Sequence, residues 1–397
     1  MNGKVSVVGQ GYVGLPLALA ATKSDYFVVG IDTDGKKVKN LQIGISNIED
    51  ISTDELKIYL ENKSYVPSSD FSSIKDSKIV LICVPTPLSE DGNPDLTFII
   101  NATTEVGKHL KKGILVIIES TVATGTTREV LVPILEKESG LSPKDLLVAF
   151  SPERIDPLNQ KWNIVNTPKI VAGLTNEACE LAFGFYSKFI NIVVKCESLE
   201  VAETAKLLEN AFRFINISFI NEMSIYCSKF GIEINDVIKA AATKPYGFLP
   251  FYPSIGIGGH CIPVDPVYLS KKAKDIGTPL QFIELAQRVN LELPDLFVKK
   301  AEKLLGDLSG KTILIVGVSY KSNIADTRES PVKPLLSKLR ARNAKVFWHD
   351  DLVKEWNNEK SVPISSDYDL AIIATPHDNV DLTKLGNVPV VNTRRST

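Results

Sequence analysis

A single cysteine, Cys261, lies in the glycine-rich stretch GIGGHCIPVD at residues 256–265. Glycine loses more conformational entropy on folding than any other residue, so three glycines before one thiol indicate positive φ angles or a close approach of the backbone to a ligand. A nucleophile fits this setting, with Asp265 close behind it and His260 as a candidate base. The alternative is a small buried core residue, which is what most intracellular cysteines are.

Three polar residues, Lys206, Asn210 and Arg213, have the spacing of one helical face. Their neighbours in ENAFRFINISF are apolar, which favours a partly buried polar face over a solvated stripe. A lysine held on such a face can stabilise a developing oxyanion, and an asparagine can add a neutral hydrogen-bond donor. Both interpretations of the stripe stay open from the spacing alone.

The motif GQGYVG at residues 9–14 follows a short β-branched run and opens a helical pattern. Glycines at this place allow a tight turn, close approach to a pyrophosphate and close helix packing. Asp32 ends the next strand-like run, where a carboxylate can accept from a ribose 2'-hydroxyl and would repel a 2'-phosphate. The pattern therefore predicts NAD over NADP, with Lys36 and Lys37 leaving NADP open, and a nucleotide-like turn that binds nothing as the alternative.

The elements that must position these residues come from a chain of 397 residues, which is long enough for two or three domains. Hydrophobic residues at 44%, charged residues at 23% and a net charge of -2 indicate a globular protein without a nucleic-acid surface. The sequence contains no apolar run near the ~20 residues of a membrane span and no signal-peptide pattern, so we expect a cytoplasmic protein. Five cysteines without a CxxC motif make disulfides and a metal site unexpected.

Hydrophobic periodicity predicts an α/β fold with two Rossmann-like doubly wound domains joined by a long central helix. Strand-like runs continue as a parallel sheet to about residue 195, and helical periodicity then runs from residue 198 to a stop at Gly231. From residue 311 the strand pattern of the first half begins again in the same order. We therefore predict three domains: residues 1–195, residues 196–300 with the cysteine loop, and residues 301–397.

Several separated motifs carry a resemblance to one family. They are GQGYVG with Asp32, VPTP at 84–87, STVATGT at 120–126, SPERI at 151–155, ETAKLLENAFR at 203–213, GGHCIPVDP at 258–266 and YKSNIADTRES at 320–330. On these motifs the sequence resembles the UDP-glucose/GDP-mannose dehydrogenase family over essentially its whole length. The resemblance implies oxidation of a sugar-nucleotide primary alcohol to a carboxylate with two NAD+. It also implies a third domain that binds the UDP-sugar substrate, a homodimer built on the long helix, and a role in polysaccharide biosynthesis.

The resemblance further implies site residues. The catalytic set is Cys261, Lys206, Asn210, Asp265, Thr121 and Glu153. The cofactor-binding set is Gly9, Gly11, Tyr12, Val13, Gly14, Asp32, Lys37, Thr86, Thr121 and Arg328. The substrate-binding set is Arg154, Ile155, Lys206, Asn210, Arg213, Phe251, Tyr252, Gly258, Tyr320, Lys321 and Arg394. In these roles Cys261 is the nucleophile, Lys206 and Asn210 serve the oxyanion, Glu153 acts in acid-base steps, and Asp265 and Thr121 organise water or proton transfer.

One departure from the family pattern bears on the substrate. Many UDP-glucose enzymes of the family carry a lysine before the loop aspartate and a serine before the cysteine, where this sequence has Val264 and His260. The loop more closely resembles the branch that oxidises UDP-N-acetylglucosamine or UDP-N-acetylmannosamine. UDP-glucose and GDP-mannose dehydrogenases are the alternatives within the family.

Two alternatives lie outside the family. A 3-hydroxyacid or 6-phosphogluconate-type dehydrogenase would transfer one hydride without a cysteine, but the second nucleotide-like domain argues against it. The other is a non-enzymatic NAD-sensing or assembly protein with an inactive site, and the presence of Cys261, Lys206, Asn210 and Asp265 argues against that protein class.

Overall fold

The computed structural model describes residues 2–46, 48, 51–155, 159 and 161–395. The chain divides into two compact units, Met1–Leu208 and Glu209–Thr397. Among the described residues, no helix combines the length and the apolar composition needed to cross a bilayer.

The first unit is built on an eight-stranded sheet with the order β3-β2-β1-β4-β5-β6-β7-β8. Its strands are β1 Gly3–Val8, β2 Tyr26–Ile31, β3 Tyr65–Ser68, β4 Ile79–Ile82, β5 Leu115–Ile118, β6 Leu147–Phe150, β7 Lys169–Gly173 and β8 Val193–Lys195. Its helices are α1 Gly14–Lys23, α2 Gly35–Gln42, α3 Thr53–Glu61, α4 Thr97–His109, α5 Val132–Ser139 and α6 Asn176–Tyr186, with short helical segments at Phe71–Asp76 and Thr127–Leu131. Neighbouring strands pair in parallel except β6 and β7, which are antiparallel. The prediction of a parallel sheet to about residue 195 was therefore wrong at this one pair, and the described residues between β6 and β7 (151–155, 159 and 161–168) form no crossover helix of the kind that joins parallel strands.

Helix α7, Leu199–Lys229, begins in the first unit and ends in the second. The predicted long helix is confirmed, including its end, since Gly231 just beyond it has φ +66°.

The second unit contains a four-stranded parallel sheet with the order β10-β9-β13-β14. Its strands are β9 Thr312–Val316, β10 Lys345–His349, β13 Leu370–Ile373 and β14 Val390–Asn392, and β11 Glu355–Trp356 pairs with β12 Glu359–Lys360 as a small hairpin. Its helices are α8 Ile234–Ala241, α9 Asp265–Asp275, α10 Gln281–Leu305 and α11 Val332–Arg340, with a short helical turn at Leu382–Leu385. This confirms the predicted second, degenerate nucleotide-binding-like domain.

Both sheets are buried on both faces, which explains why their strands read as continuous apolar runs. In β1, Val7 packs into a core with α1 and α6, while Val8 packs into a core with α4 and α5. In β9, Ile315 packs against α10 and α11, while Val316 packs under loops and the short helical turn. The second sheet is thus covered by long helices on one face only.

The loops after β1 and β9 repeat the same backbone geometry. Gly9 has φ +91° and Gly317 has φ +86°. The Gly9 N–H donates to the carbonyl of Ile31 at 2.7 Å, and the Gly317 N–H donates to the carbonyl of His349 at 2.8 Å. These matching contacts support the internal repeat that the sequence predicts.

The acidic residues after β2 and β10 also correspond. The backbone N–H of Gln10 donates to Asp32 Oδ2 at 2.8 Å, and that of Val318 donates to Asp350 Oδ2 at 2.9 Å. Each carboxylate therefore holds the loop that follows the neighbouring strand.

Candidate active site

The loop between β1 and α1 has the geometry of a dinucleotide-binding turn. A Cβ at Gly14 would lie 1.8 Å from the carbonyl oxygen of Gly9, whereas a Cβ at Gly11 would meet nothing within 4 Å. Close packing therefore requires the last glycine, while the middle one faces open space. Val13 precedes α1 at a helix start that has no side-chain cap, which leaves its N–H groups suited to an anion.

Asp32 lies at the carboxyl end of β2 and its side chain is nearly buried. Its Oδ2 accepts from Gln10 N and from Lys37 Nζ, each at 2.8 Å, and its Oδ1 accepts from Asp34 N at 3.0 Å. A carboxylate offers about four acceptor positions, so Asp32 has room for a ribose hydroxyl as well. Because Lys37 pairs with Asp32, its charge is engaged by a carboxylate, which weakens the case for a 2'-phosphate.

These residues fit NAD at the glycine loop. The open position at Gly11 and the uncapped start of α1 suit a pyrophosphate, and Asp32 suits a ribose. The remaining predicted cofactor residues of this unit are Tyr12, which is exposed in the loop, Thr86, which is buried after β4, and Thr121, which is half-buried after β5.

The predicted acid-base residue Glu153 lies in the segment between β6 and β7. Its side chain is nearly buried, and one of its carboxylate oxygens is 3.9 Å from Nζ of Lys206, which is also buried. Within this unit the structure thus brings together two residues that the sequence separates by 53 positions (206 − 153). The neighbouring Arg154 donates to the carbonyl of Pro168 at 2.6 Å. Glu153, Arg154 and Ile155 all line one small cavity of about 20 Å³.

Sequence reasoning missed a buried group beneath this segment. Glu119 pairs with Lys169 at 2.8 Å and accepts a hydrogen bond from the Tyr186 hydroxyl. Lys169 Nζ also donates to the carbonyl of Pro152 at 3.1 Å, and the N–H of Glu153 approaches the Glu119 carbonyl at 3.4 Å. The signal was present, since an acidic residue directly after the apolar run of β5 and a lysine opening the apolar run of β7 are unusual positions for charges.

Burial raises the pKa of Glu119 above its ordinary value, against the opposing effect of Lys169. Burial also raises the pKa of Tyr186 well above its ordinary value, and the negative Glu119 acts in the same direction. Both effects follow from the cost of placing charge in an apolar interior.

A second missed residue is Glu203, on the first turns of α7. Its carboxylate accepts from the N–H groups of Gly125 at 2.6 Å and Thr127 at 2.9 Å. It therefore caps the helical segment that follows the predicted Thr121 loop. The capping position could have been predicted only with knowledge of the tertiary contact.

In the second unit, the predicted catalytic residues Asn210 and Asp265 are in contact. Asn210 Nδ2 donates to Asp265 Oδ2 at 2.5 Å, and Asp265 is the first residue of α9 with only 3% of its surface exposed. Cys261 lies in the turn that leads into this helix, where its carbonyl accepts from the N–H groups of Val264 at 3.1 Å and Asp265 at 2.9 Å. The backbone of Cys261, the Asp265 carboxylate and the Asn210 amide therefore belong to one local structure.

The positive φ predicted for the glycines before Cys261 is present at Gly259, and the packing of another loop gives a further reason for glycine at these positions. Gly259 has φ +91°, and a Cβ there would lie 2.8 Å from the ring of Tyr320. A Cβ at Gly258 would lie 2.7 Å from the carbonyl oxygen of Glu329 and 2.8 Å from Pro331. The loop that follows β9 therefore packs directly on these glycines, so protein packing accounts for them before any ligand is considered.

The helix face predicted to be partly buried extends over part of its length only. Lys206 is buried and Asn210 half-buried, but Arg213 is exposed. Of the other predicted substrate residues, Phe251 stacks edge-on against Phe212 at 5.9 Å and Tyr252 is exposed. Burial decreases from Lys206 to Arg213 because the side of α7 that carries Arg213 faces solvent.

The remaining predicted residues lie in the loop after β9 and near the end of the chain. Tyr320 and Lys321 are half-buried, Arg394 donates to the Ser322 hydroxyl at 2.8 Å, and the guanidinium of Arg328 pairs with Asp326 at 2.5 Å. Tyr320 and Lys321 thus lie in one loop, and Arg394 contacts that loop through Ser322. Their roles toward a ligand stay predictions.

The cysteines differ in environment. Burial raises the pKa of Cys83 well above its ordinary value and raises those of Cys179 and Cys196, so these thiols suit a core role. Cys261 is half-buried in a loop. Beside it, burial lowers the pKa of His260, and the charge of Arg328 acts in the same direction, so this imidazole tends to be neutral.

Comparison with known proteins places the whole chain. Three models match in order: the UDP-glucose/GDP-mannose dehydrogenase family NAD binding domain at residues 3–190, the central domain at 200–292 and the UDP binding domain at 314–395. The three-domain boundaries drawn from the sequence stay a prediction beside these ranges.

Two curated relatives and one solved structure are similar over nearly the whole length. The UDP-N-acetyl-D-glucosamine 6-dehydrogenase of Pseudomonas aeruginosa is 36% identical over 94% of this chain and 90% of its own length. The UDP-N-acetyl-D-mannosamine dehydrogenase of Pyrococcus horikoshii is 33% identical over 94% of this chain and 89% of its own. The solved structure of a UDP-D-ManNAc dehydrogenase from Pyrococcus horikoshii superposes with a TM-score of 0.91 at 30% identity, covering 99% of this chain and 96% of that one.

Proposed function

The chain belongs to the UDP-glucose/GDP-mannose dehydrogenase family and is an NAD-dependent UDP-sugar 6-dehydrogenase, and from this we propose that it oxidises the C6 alcohol of a UDP-N-acetylhexosamine to the uronic acid. The candidate substrates are UDP-N-acetylglucosamine and UDP-N-acetylmannosamine. Two observations favour them over UDP-glucose. His260 and Val264 replace the serine and lysine of many UDP-glucose enzymes, and two relatives are named for N-acetylated hexosamines.

The observation that carries the proposed chemistry is the local structure of Cys261, Asp265 and Asn210. The alcohol first loses a hydride and a proton to give an aldehyde. The Cys261 thiolate then adds to the aldehyde carbon, forming a thiohemiacetal, which loses a second hydride to become a thioester. Water cleaves the thioester, releasing the carboxylate and the free thiol. The glycine loop and Asp32 would hold two NAD+ molecules one after the other, and each would accept one hydride.

Other residues of the chain stabilise the negative charge that develops on the substrate oxygen or transfer protons. Lys206 is the cation for the developing oxyanion, and Asn210 is a neutral donor whose orientation is fixed by Asp265. Glu153, 3.9 Å from Lys206, takes and returns protons. Asp265 and Thr121 orient the water that cleaves the thioester.

A homodimer also belongs to the proposal. Phe212, Phe219 and Tyr226 recur at intervals of seven along α7, Phe230 follows directly after the last residue of the helix, and each of the four is 47–64% exposed. Positions with this spacing share one helix face. An exposed aromatic stripe of this kind marks a surface for association, and a second copy of the same helix would cover it.

The substrate proposal is tested by counting NADH formed per sugar nucleotide with UDP-N-acetylglucosamine, UDP-N-acetylmannosamine, UDP-glucose and GDP-mannose. We expect two NADH per molecule of an N-acetylated substrate and a clear preference for it in kcat/KM. One NADH per substrate would contradict the thioester route. A preference for UDP-glucose or GDP-mannose would contradict the substrate assignment.

A further inference from the structure

A buried histidine holds the loop that carries two predicted substrate residues. The loop follows β9 and contains Tyr320 and Lys321. Two residues further on, the N–H of Asn323 donates to Nδ1 of His377 at 2.8 Å, and His377 is 6% exposed. Asn323 has φ +67°, in the left-handed region that non-glycine residues rarely adopt. The hydrogen bond to His377 therefore fixes the loop at a point of unusual backbone conformation.

The other ring nitrogen of His377 fixes which tautomer is present. His377 Nε2 lies 2.7 Å from Asp350 Oδ1, and the Asp350 side chain is fully buried. Because Nδ1 accepts from an N–H, the ring proton belongs on Nε2, where it is donated to Asp350. Reversing the tautomer would place two N–H groups against each other at Asn323.

Asp350 is held as a carboxylate. Burial by itself would raise its pKa, but hydrogen bonds from the backbone N–H groups of Val353 and Val318 and from His377 outweigh burial, so the pKa lies below its ordinary value. The charged Asp350 carboxylate therefore favours the tautomer of His377 that carries its proton on Nε2. The histidine thus transmits the fixed position of Asp350 to Asn323.

The internal repeat shows what has changed between the two units. Asp32 and Asp350 correspond in position, and each accepts from the backbone N–H of the neighbouring loop. Asp32 lies beside a glycine loop open enough for a dinucleotide, and its other partners are the N–H of Asp34 and the half-buried Lys37. Asp350 is instead enclosed by His377 and backbone, so it is not available to a ribose. At the position where Asp32 can accept from a ribose, Asp350 instead fixes the conformation of a loop.

The exposed side of the loop makes further hydrogen bonds and packing contacts. Asn323 and Asp378 form a reciprocal pair, with Nδ2 donating at 2.7 Å and the Asp378 N–H donating back at 3.0 Å. Tyr320 packs on Gly259 beside the cysteine. The loop position therefore sets both the predicted substrate contacts and one wall of the Cys261 loop.

We propose that His377 is a positioning residue for the UDP-sugar: together with Asp350 it holds the Tyr320–Lys321 loop in the conformation that binds the nucleotide. This rests on the proposed function only for the identity of the ligand. His377 itself lies beneath the loop and acts through Asn323.

Two substitutions separate the two hydrogen bonds of the imidazole. In His377→Asn, the side-chain oxygen can occupy the place of Nδ1 and still accept from Asn323. In His377→Gln, the amide nitrogen can reach the place of Nε2 and donate to Asp350, but the acceptor for Asn323 is lost. A matched control is His349→Gln, since His349 is the last residue of β10, directly before Asp350, and pairs with Asp351 at 3.2 Å.

Binding of UDP is measured by calorimetry on the full chain, alongside KM and kcat for the better N-acetylated substrate. We expect His377→Gln to weaken UDP binding on the order of 10-fold and to raise KM with a smaller effect on kcat, because the partly buried N–H of Asn323 is left without its acceptor and the loop loses this hydrogen bond. His377→Asn should stay within about 3-fold of wild type, a loss the size of one ordinary hydrogen bond. NAD binding and the His349→Gln protein should be unchanged.

Equal UDP affinity in wild type and His377→Gln would overturn the proposal, as would equal losses in His377→Asn and His377→Gln. If neither wild type nor variant binds UDP, the proposed function itself fails, which is a separate outcome. A second measurement does not depend on how well the Gln variant folds. Imidazole ¹⁵N spectra of the four histidines, with the His377 signal assigned by its loss in His377→Asn, should show the Nε2–H tautomer, and an Nδ1–H tautomer would contradict the proposal.

Discussion

Cys261 is distinguished at the residue scale by what stands around it. The thiol lies in a turn whose carbonyl already binds the start of α9, and the first side chain of that helix, Asp265, is fixed by Asn210. A nucleophile needs a constrained backbone and oriented neighbours, whereas a core cysteine needs only apolar packing. Cys83 and Cys179 have the second kind of environment.

Substitutions at Cys261 test the covalent route. Cys261→Ala should retain some first oxidation but form no acid, because nothing holds the aldehyde for the second. Cys261→Ser should accumulate a covalent sugar-nucleotide adduct, because an ester is hydrolysed more slowly than a thioester, and intact-protein mass spectrometry would detect the added mass. Cys179→Ser is the matched control and should turn over normally. Two NADH per substrate from Cys261→Ala would end the covalent mechanism.

Asp32 governs the choice of dinucleotide. We expect wild type to prefer NAD to NADP in kcat/KM, because the carboxylate accepts from a 2'-hydroxyl and repels a 2'-phosphate. Asp32→Asn should lower kcat/KM with NAD and reduce the ratio of kcat/KM with NAD to kcat/KM with NADP. Asp34→Asn serves as control, since Asp34 caps α2 through the N–H groups of Lys36 and Lys37. Equal use of both cofactors by wild type would refute the assignment.

At the scale of elements, the segment between β6 and β7 depends on charges that lie beneath it. Lys169 opens β7 and joins Glu119, at the end of β5, to the carbonyl of Pro152. Breaking a buried pair leaves one charge without compensation and costs more than the pair contributes. The Glu153 segment is therefore only as stable as this ion pair.

Lys169→Met should lower the free energy of unfolding by about 3–5 kcal/mol, since Glu119 would remain buried and unpaired. The double variant with Glu119→Gln should recover much of that loss, which thermal melting of both proteins would reveal. Lys195→Met is a matched control, because its pair with Glu180 is exposed and should contribute little. A double variant no more stable than Lys169→Met would contradict this account.

The elements themselves were largely predictable, and the tertiary contacts were not. Apolar periodicity and Gly231 were enough to place α7, because both are local signals. The antiparallel entry of β7 has no local signal, since its apolar run suits either direction. The packing of Tyr320 on Gly258 and Gly259 was also invisible, because glycines needed by a distant loop and glycines needed by a ligand look the same in sequence.

The candidate site divides in the same way. The glycine loop and Asp32 could be predicted because strand, turn and helix follow one another along the chain. Asn210 and Asp265 came from a family resemblance, and their contact bridges 55 positions. Glu119 and Glu203 were missed because a buried carboxylate is recognisable only by partners brought in by the fold.

At the scale of the whole molecule, the aromatic stripe of Phe212, Phe219 and Tyr226 on α7, with Phe230 directly after the helix, suits a partner surface. Four large side chains, each about half exposed, would carry a lasting cost in contact with water, roughly 25 cal/mol for each Å² of apolar area. An isologous pairing, in which the same stripe meets itself across a two-fold axis, removes that area without requiring a different protein.

Light scattering at micromolar concentration should therefore report twice the 43.5 kDa mass of one chain. Phe219→Glu together with Tyr226→Glu should shift the mass toward that of a single chain, because each glutamate would have to be desolvated against its own copy across the axis. Phe282→Glu is the control, since Phe282 on α10 is 76% exposed but lies on another helix. A wild-type mass equal to that of one chain would contradict the proposed dimer. A double variant that remains dimeric would place the interface on a different surface.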